Sequence, residues 1–117
     1  MNVRVENNFG SVEVNDEVIK TLAGAATIEC YGVVGMASQQ IFRDGLAELL
    51  GQDNYQKGIV TRVEKNVLHI DLFVVISFGI RVSEIVHEIQ KKVKYDLEKT
   101  LNIDLGSVNV FVQDVQR

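Results

Sequence analysis

The side chains with most reason to do chemistry in this 117-residue chain are Glu29, Cys30, His69, Asp71 and His87. Metal capture or nucleophilic catalysis requires several of them to converge, with ligands a few residues apart or a nucleophile set beside its base. No such spacing is present. The lone cysteine and the two histidines fall on separate elements, so the reading is no catalytic site, no metal and no cofactor. Cys30 lies on the apolar stripe of a helix, where a small thiol packs as a hydrophobe. His87 stands one turn before Lys91 on a solvent-side helix face. Nucleotide and hydrolase fingerprints (GxGxxG, the P-loop, GxSxG) do not occur. Gly32-Val33-Val34-Gly35 matches the bare GxxG of KH-type RNA-binding modules. Its flanks, Glu29, Tyr31 and Met36, supply no cation inside the motif to hold a phosphate, so a turn packed on the core accounts for it better.

Asp71 is the most informative of the polar residues because of the strand that carries it. From Val67 to Phe78, Leu68, Ile70, Leu72, Val74, Ile76 and Phe78 recur at period two and define a buried side. The other side carries Val67, His69, Asp71, Phe73, Val75 and Ser77, half apolar and poorly suited to face water alone. A two-residue turn at Lys65-Asn66 sets this strand against Ile59, Thr61 and Val63, pairing Val63 with Leu68, Thr61 with Ile70 and Ile59 with Leu72. Arg62 then falls opposite His69 and within reach of Asp71, whose carboxylate needs such a partner. Arg62, His69, Asp71, Phe73 and Val75 are therefore the candidate interaction surface, covered either by another chain or by a helix over Ile41 to Leu50.

The remaining elements follow from period and punctuation. Phe9 to Val14 alternates as a short strand ending at the N-cap residue Asn15. A helix follows, with Asp16 and Glu17 in its first turn and Val18, Ile19, Leu22, Ala23, Ala26 and Cys30 as its stripe, stopping at Gly32. Gly24 and its alanine neighbours thin the helix so that a partner can approach closely. Val33 to Ala37 reads as a brief strand, Ile41 to Leu50 as a short helix and Gln52 to Lys57 as a loop. Gly79 breaks the long strand and Ser83 caps a helix whose buried side is Ile85, Ile89, Val93, Leu97 and Leu101, with Glu88–Lys92 and Lys94–Glu98 pairs on the solvent side. Val108, Val110 and Val112 form a closing strand, and the strand, helix, strand order favours a right-handed crossover to a parallel neighbour. The predicted fold is a single α+β domain in two layers, a mixed sheet of hairpin plus crossover strand with two main helices packed on it.

Composition narrows the partners. A net charge of −4 gives no electrostatic reason to approach nucleic acid or an anionic lipid surface. The longest apolar run, Leu72 to Ile76, is too short to span a bilayer and no signal-peptide pattern opens the chain, so the protein is expected in the cytoplasm without direct membrane insertion. A single cysteine cannot form an internal disulfide and agrees with a reducing compartment.

Several segments taken together resemble the alkaline shock protein family of Gram-positive bacteria, the general-stress envelope response family, and especially its short YloU-like members. They are Gly10-Ser11-Val12-Glu13-Val14, Gly32-Val33-Val34-Gly35-Met36-Ala37, Asp44-Gly45-Leu46-Ala47-Glu48-Leu49-Leu50-Gly51, Lys57-Gly58-Ile59, Ile70-Asp71-Leu72, Phe78-Gly79-Ile80, Ile89-Gln90 with Val93, and Val108-Asn109-Val110-Phe111-Val112. The resemblance spans residues 9 to 115, with Phe78 where the family often has Tyr. It implies a cytoplasmic, non-enzymatic protein supporting envelope homeostasis, in some members gathered at the membrane by a membrane-anchored protein partner and self-assembling. The function expected is thus a scaffold or interaction protein forming a homo-oligomer. The alternative from the residues alone is a KH-like nucleic-acid-binding or small-ligand-binding accessory module; interleaving of Lys91, Lys92, Lys94 and Lys99 with Glu84, Glu88 and Glu98 argues against a coherent basic face.

Overall fold

The alternation of Leu68, Ile70, Leu72, Val74 and Ile76 demands a strand with one side removed from water, and all five are at most 1% exposed. Burying such a row contributes on the order of 10 kcal/mol of transfer free energy, the largest single block of core in the chain. A computed structural model describes residues 2–41 and 47–117. In chain order the elements are strands β1 (Asn2–Asn7) and β2 (Gly10–Asn15), helix α1 (Asp16–Ile28), strands β3 (Val33–Ile41) and β4 (Ala47–Leu49), a 3-10 helix at Gln52–Gly58, strands β5 (Ile59–Glu64) and β6 (Val67–Ser77), helix α2 (Val82–Leu101) and strand β7 (Leu105–Gln116).

Strand β6 is the centre of a mixed sheet. One edge is taken along nearly its whole length by β7, parallel, from Leu68↔Leu105 to Ser77↔Gln116. The other edge is shared end to end by two antiparallel strands: β5 holds Val67 to Leu72, and β3 holds Val74 to Ile76. The hairpin register is the predicted one, Val63↔Leu68, Thr61↔Ile70 and Ile59↔Leu72. Its turn takes φ +51 at Lys65 and +64 at Asn66, the paired left-handed geometry that matches strand twist. Helices α1 and α2 pack on the side where Ile19, Ala23, Ala26, Ile85, Ile89, Val93 and Leu97 join the β6 row in one core. The α+β two-layer fold and the parallel crossover through α2 are as read from the pattern.

Close approach explains the thin middle of α1: a Cβ on Gly24 would already touch Ile59 Cδ1 at 3.4 Å and Tyr55 at 3.9 Å. Asn15 caps α1, its side chain accepting from the Glu17 N–H at 2.8 Å, and Asn102 ends α2 at φ +55. Buried Thr27 is satisfied by donating to the Ala23 carbonyl at 2.7 Å.

Several expectations are corrected. Residues Asn2–Asn7 form a strand that pairs with β2 as a separate hairpin, in register Asn7↔Gly10; Phe9 is therefore at the turn and fully exposed rather than in a strand. Asn66 ties this hairpin to the β5–β6 turn, accepting from the Glu6 N–H at 3.0 Å. Of the predicted Ile41 to Leu50 helix, Ala47–Leu49 is a strand paired with β3, and residues 42–46 lie outside the described residues. Residues Gln52–Gly58 coil into a 3-10 helix instead of a loop. Phe78 falls past the end of β6 and is 60% exposed, and Val63, beside the hairpin turn, is 43% exposed. Arg81, not Ser83, is the cap residue of α2. Lys92 pairs with Asp96 and with Glu29 of α1, each at 3.0 Å, instead of with Glu88, and the Glu98 carboxylate accepts from the Leu105 N–H instead of pairing with Lys94.

Gly32 sits at φ +94, and a Cβ there would lie 2.8 Å from Ile85 Cδ1 and 3.1 Å from Ile80. Gly32→Ala should therefore destabilise by about 1–3 kcal/mol, whereas Gly35→Ala, which meets only the flexible tip of Leu49 at 3.1 Å, should cost less; thermal unfolding of both variants measures the difference. Asp16 bridges α1 and β5. Burial pushes its carboxyl up, but a hydrogen bond from Thr61 and the ion pair with Lys20 outweigh this and hold it below its ordinary value near 3.8. A lowered folded pKa gives stability that is complete above that ordinary value and is lost as pH falls through the folded one. Asp16→Asn should flatten the stability curve below about pH 4, read by urea unfolding at stepped pH.

Candidate functional site

The side of the sheet away from α1 and α2 is assembled by strand alternation. With Ile59 and Thr61 of β5 turned to the helices, Arg62 and Glu64 face the other way, beside His69, Asp71 and Phe73 of β6. Parallel pairing of Asp71 with Asn109 and Phe73 with Phe111 carries the same face onto β7. The structure thus brings together four of the predicted residues, Arg62, His69, Asp71 and Phe73, and adds four that the pattern of β7 had not flagged: Ser107, Asn109, Phe111 and Gln113. The fifth predicted residue, Val75, shares the face but is only 3% exposed and is withdrawn from the surface.

A continuous polar chain crosses the three strands. Arg62 grips Asp71 with two nitrogens, Nη2 to Oδ1 at 3.0 Å and Nε to Oδ2 at 3.3 Å, and donates Nη1 to Glu64 at 2.7 Å. Asn109 donates Nδ2 to Asp71 Oδ1 at 2.9 Å and to Ser107 Oγ at 3.2 Å. The Ser107 backbone N–H donates to His69 Nδ1 at 3.0 Å, and the Ser107 hydroxyl lies 2.9 Å from the same nitrogen. Gly106 permits this approach, because a Cβ there would lie 2.5 Å from His69 Cε1. Burial pushes the Asp71 carboxyl up, but the hydrogen bonds from Arg62 and Asn109 and the charge of Arg62 prevail and hold it below the usual carboxylate value. An ionised, bidentately held carboxylate can accept hydrogen bonds but is a poor proton donor at neutral pH.

Next to this frame lies an aromatic pair. Phe73 and Phe111 stack with centroids 4.8 Å apart and planes 13° from parallel, a geometry that adds about 0.5–1.5 kcal/mol beyond burial. Phe111 remains 44% exposed. Beyond it, Gln113 donates Nε2 to the carbonyls of Ser38 and Gln39 at 3.2 and 3.3 Å. The segment of β3 past Met36 therefore comes within reach of β7, on the part of the face where Val75 is buried. The cover anticipated from a helix is provided there by extended chain.

The other candidates are scattered. Cys30 lies in the turn just past the end of α1 rather than on its stripe; it is buried, its thiol pushed up by burial and by the charge of Glu88, and its Sγ is 3.5 Å from the Ala26 carbonyl. His87 is exposed on α2, and Glu29 pairs with Lys92. Among the described residues no three His, Cys, Asp or Glu side chains stand together as a metal site, and no helix is long and apolar enough to cross a membrane. Gly32 and Gly35 lie at a turn and within β3 respectively, and not in a loop between two helices as the KH motif requires.

The chain as a whole is matched by known sequences. Residues 4–117 fit the model of the alkaline shock protein 23 family, described as having a cell envelope-related function. The uncharacterized protein YloU of Bacillus subtilis is 39% identical over 116 residues, 99% of this chain and 97% of its own. The uncharacterized protein Spy1614 of Streptococcus pyogenes is 37% identical over 99% of this chain and 96% of its own, and the uncharacterized protein YqhY of Bacillus subtilis is 26% identical over 95% and 81%. Among solved structures, the copper form of the MamM CTD aligns over 84% of each chain with 14% identity and a TM-score of 0.49, too distant to carry a reading of function. Matched along almost its entire length by the family model and by relatives at 39% and 37% identity, the chain belongs to the alkaline shock protein 23 family, whose function is cell envelope-related.

Proposed function

We propose that the protein is a non-enzymatic interaction or scaffold protein in cell-envelope stress and homeostasis, acting in the cytoplasm and self-associating through the open face of its sheet. Membrane contact, in this reading, comes through a membrane-anchored protein partner and not through insertion. The observation that carries the proposal is the half-open Phe73–Phe111 stack set in a polar frame whose members already satisfy one another. Polar groups bonded within the frame need no rearrangement when a partner arrives, so contact there costs little ordering entropy. The uncovered aromatic surface supplies the gain from burial. Catalysis has less support: the face offers an ion-paired carboxylate and a histidine whose Nδ1 has the Ser107 hydroxyl 2.9 Å away, but that nitrogen already accepts from the Ser107 backbone N–H and is poorly placed to take the hydroxyl proton.

A second copy is the occupant favoured for this face, because Arg62, Glu64 and Asp71 give it both signs of charge and allow it to meet its own image. Phe73→Glu would place a charge in the contact. The oligomer should dissociate by at least about tenfold in Kd, as expected when a buried apolar contact becomes an unpaired charge, while circular dichroism shows the fold retained. Sedimentation of parent and variant at matched concentration reads the result; a strictly monomeric parent, or a variant that associates as well as the parent, rejects self-association.

A further inference from the structure

Strand β7 has β6 on one side and, among the described residues, no strand on the other. Open edges in folded proteins are normally guarded by Lys, Pro, charge or shortness, because unpaired N–H and C=O groups recruit other strands. The outer edge of β5 follows that rule, being short and bearing Arg62 and Glu64, and β1 and β2 carry Arg4, Glu6 and Glu13. Strand β7 does not. Its 12 residues include no Lys, Arg or Pro, and its only charge is Asp114, beyond the register shift at Val112. From Val108 to Val112 it pairs regularly with Ile70 to Val74 and reads Val-Asn-Val-Phe-Val, a segment with the composition of an aggregation hazard if left open.

We propose that this edge is a pairing site for a second copy of the same chain, with the two β7 strands antiparallel about a two-fold axis at Phe111. The inference rests on the self-association reading and specifies its geometry. The carbonyl of Val108 goes to Gln90 of α2, at 3.0 Å, rather than to β6. Backbone groups alternate direction along a strand, so those of Val110 and Val112 are turned outward with it and those of Phe111 are turned toward β6. In the two-fold arrangement Val110 of one copy opposes Val112 of the other, and these outward groups form the new ladder. Phe111 opposes its own image as a non-hydrogen-bonded pair, the closer kind, in which aromatic side chains gain most. The stacked Phe73 and Phe111 rings then continue into those of the second copy as a row of four.

Charge supports the same occupant. In this register Asp114 falls opposite Val108, Asn109 opposite Gln113 and Ser107 opposite Val115, so no like charges meet across the new pairing. A register centred elsewhere would break the Phe111 pair without a compensating contact, which is how the aromatic residue fixes the alignment.

Amide hydrogen exchange on the unmodified protein tests this directly. On raising the concentration through the range where sedimentation shows association, exchange at Val110 and Val112 should slow by about tenfold or more, as for amides newly placed in a ladder, while exposed amides such as that of Phe9 are unchanged. Val110→Pro removes one outward N–H at a strand edge, where proline is tolerated; a folded variant that no longer associates supports the edge, and one that associates like the parent overturns it. Should the variant not fold, the exchange result on the parent decides alone. A parent that stays monomeric overturns self-association and this geometry with it. A parent that associates while Val110 and Val112 exchange at an unchanged rate overturns the edge pairing only, leaving the open face as the contact.

Discussion

One crowded strand sets the terms for the rest of the molecule. Strand β6 gives one whole edge to β7, and must divide the other between β5 and β3. Because β5 begins at Ile59 opposite Leu72, β3 cannot continue along β6 past Met36. It leaves that edge, pairs with β4 and comes close enough to β7 for Gln113 to reach its carbonyls. A hydrogen-bonding constraint on one strand thereby decides which part of the second face is closed, near Val75, and which stays open, at Phe111. The parallel pairing with β7 in turn requires the α2 crossover, whose Ile85, Ile89, Val93 and Leu97 then close the core on the opposite side.

The open face is polar and bonded within itself. Its carboxylate is held by Arg62 and Asn109, and its histidine nitrogen Nδ1 accepts from the chain of β7. Each of these bonds joins neighbouring strands, so the network stiffens the sheet and aims the aromatic pair.

Elements whose signals are local were legible in the sequence. The β5–β6 register followed from period two on both sides of Lys65-Asn66, and the Arg62–Asp71 contact came with it. Helices α1 and α2 followed from their stripes, although α1 ends at Ile28, short of the stop expected at Gly32. What escaped depended on longer range. Ala47–Leu49 reads as helical because Leu46, Leu49 and Leu50 fit a helical face, yet Leu50 points in at 6% exposure and Leu49 out at 45%, the alternation of extended chain. The β1–β2 hairpin was visible in principle, with Val3 and Val5 alternating ahead of Asn7 and Gly10. The half of the face on β7 needed the parallel register, which no local pattern fixes; once Asp71 is placed against Asn109, the opposition of Phe73 and Phe111 follows.

Where β3 departs and β5 begins, the chain passes through Gly58, and a Cβ there would lie 2.7 Å from the Ala37 carbonyl. Two strands meeting end to end along a third leave no slack at their junction. The joint behaves like a mortise cut to one length: with the β5 register held by the Lys65-Asn66 turn, an added residue beside Gly58 would have to be fitted against the Ala37 carbonyl, where even a Cβ lies 2.7 Å away. The β1–β2 turn, with Phe9 free in solvent, imposes no such measure and could lengthen without disturbing the sheet. Insertions and deletions should thus be tolerated very unevenly along this chain, freely at the outer hairpin and hardly at all at the Gly58 joint.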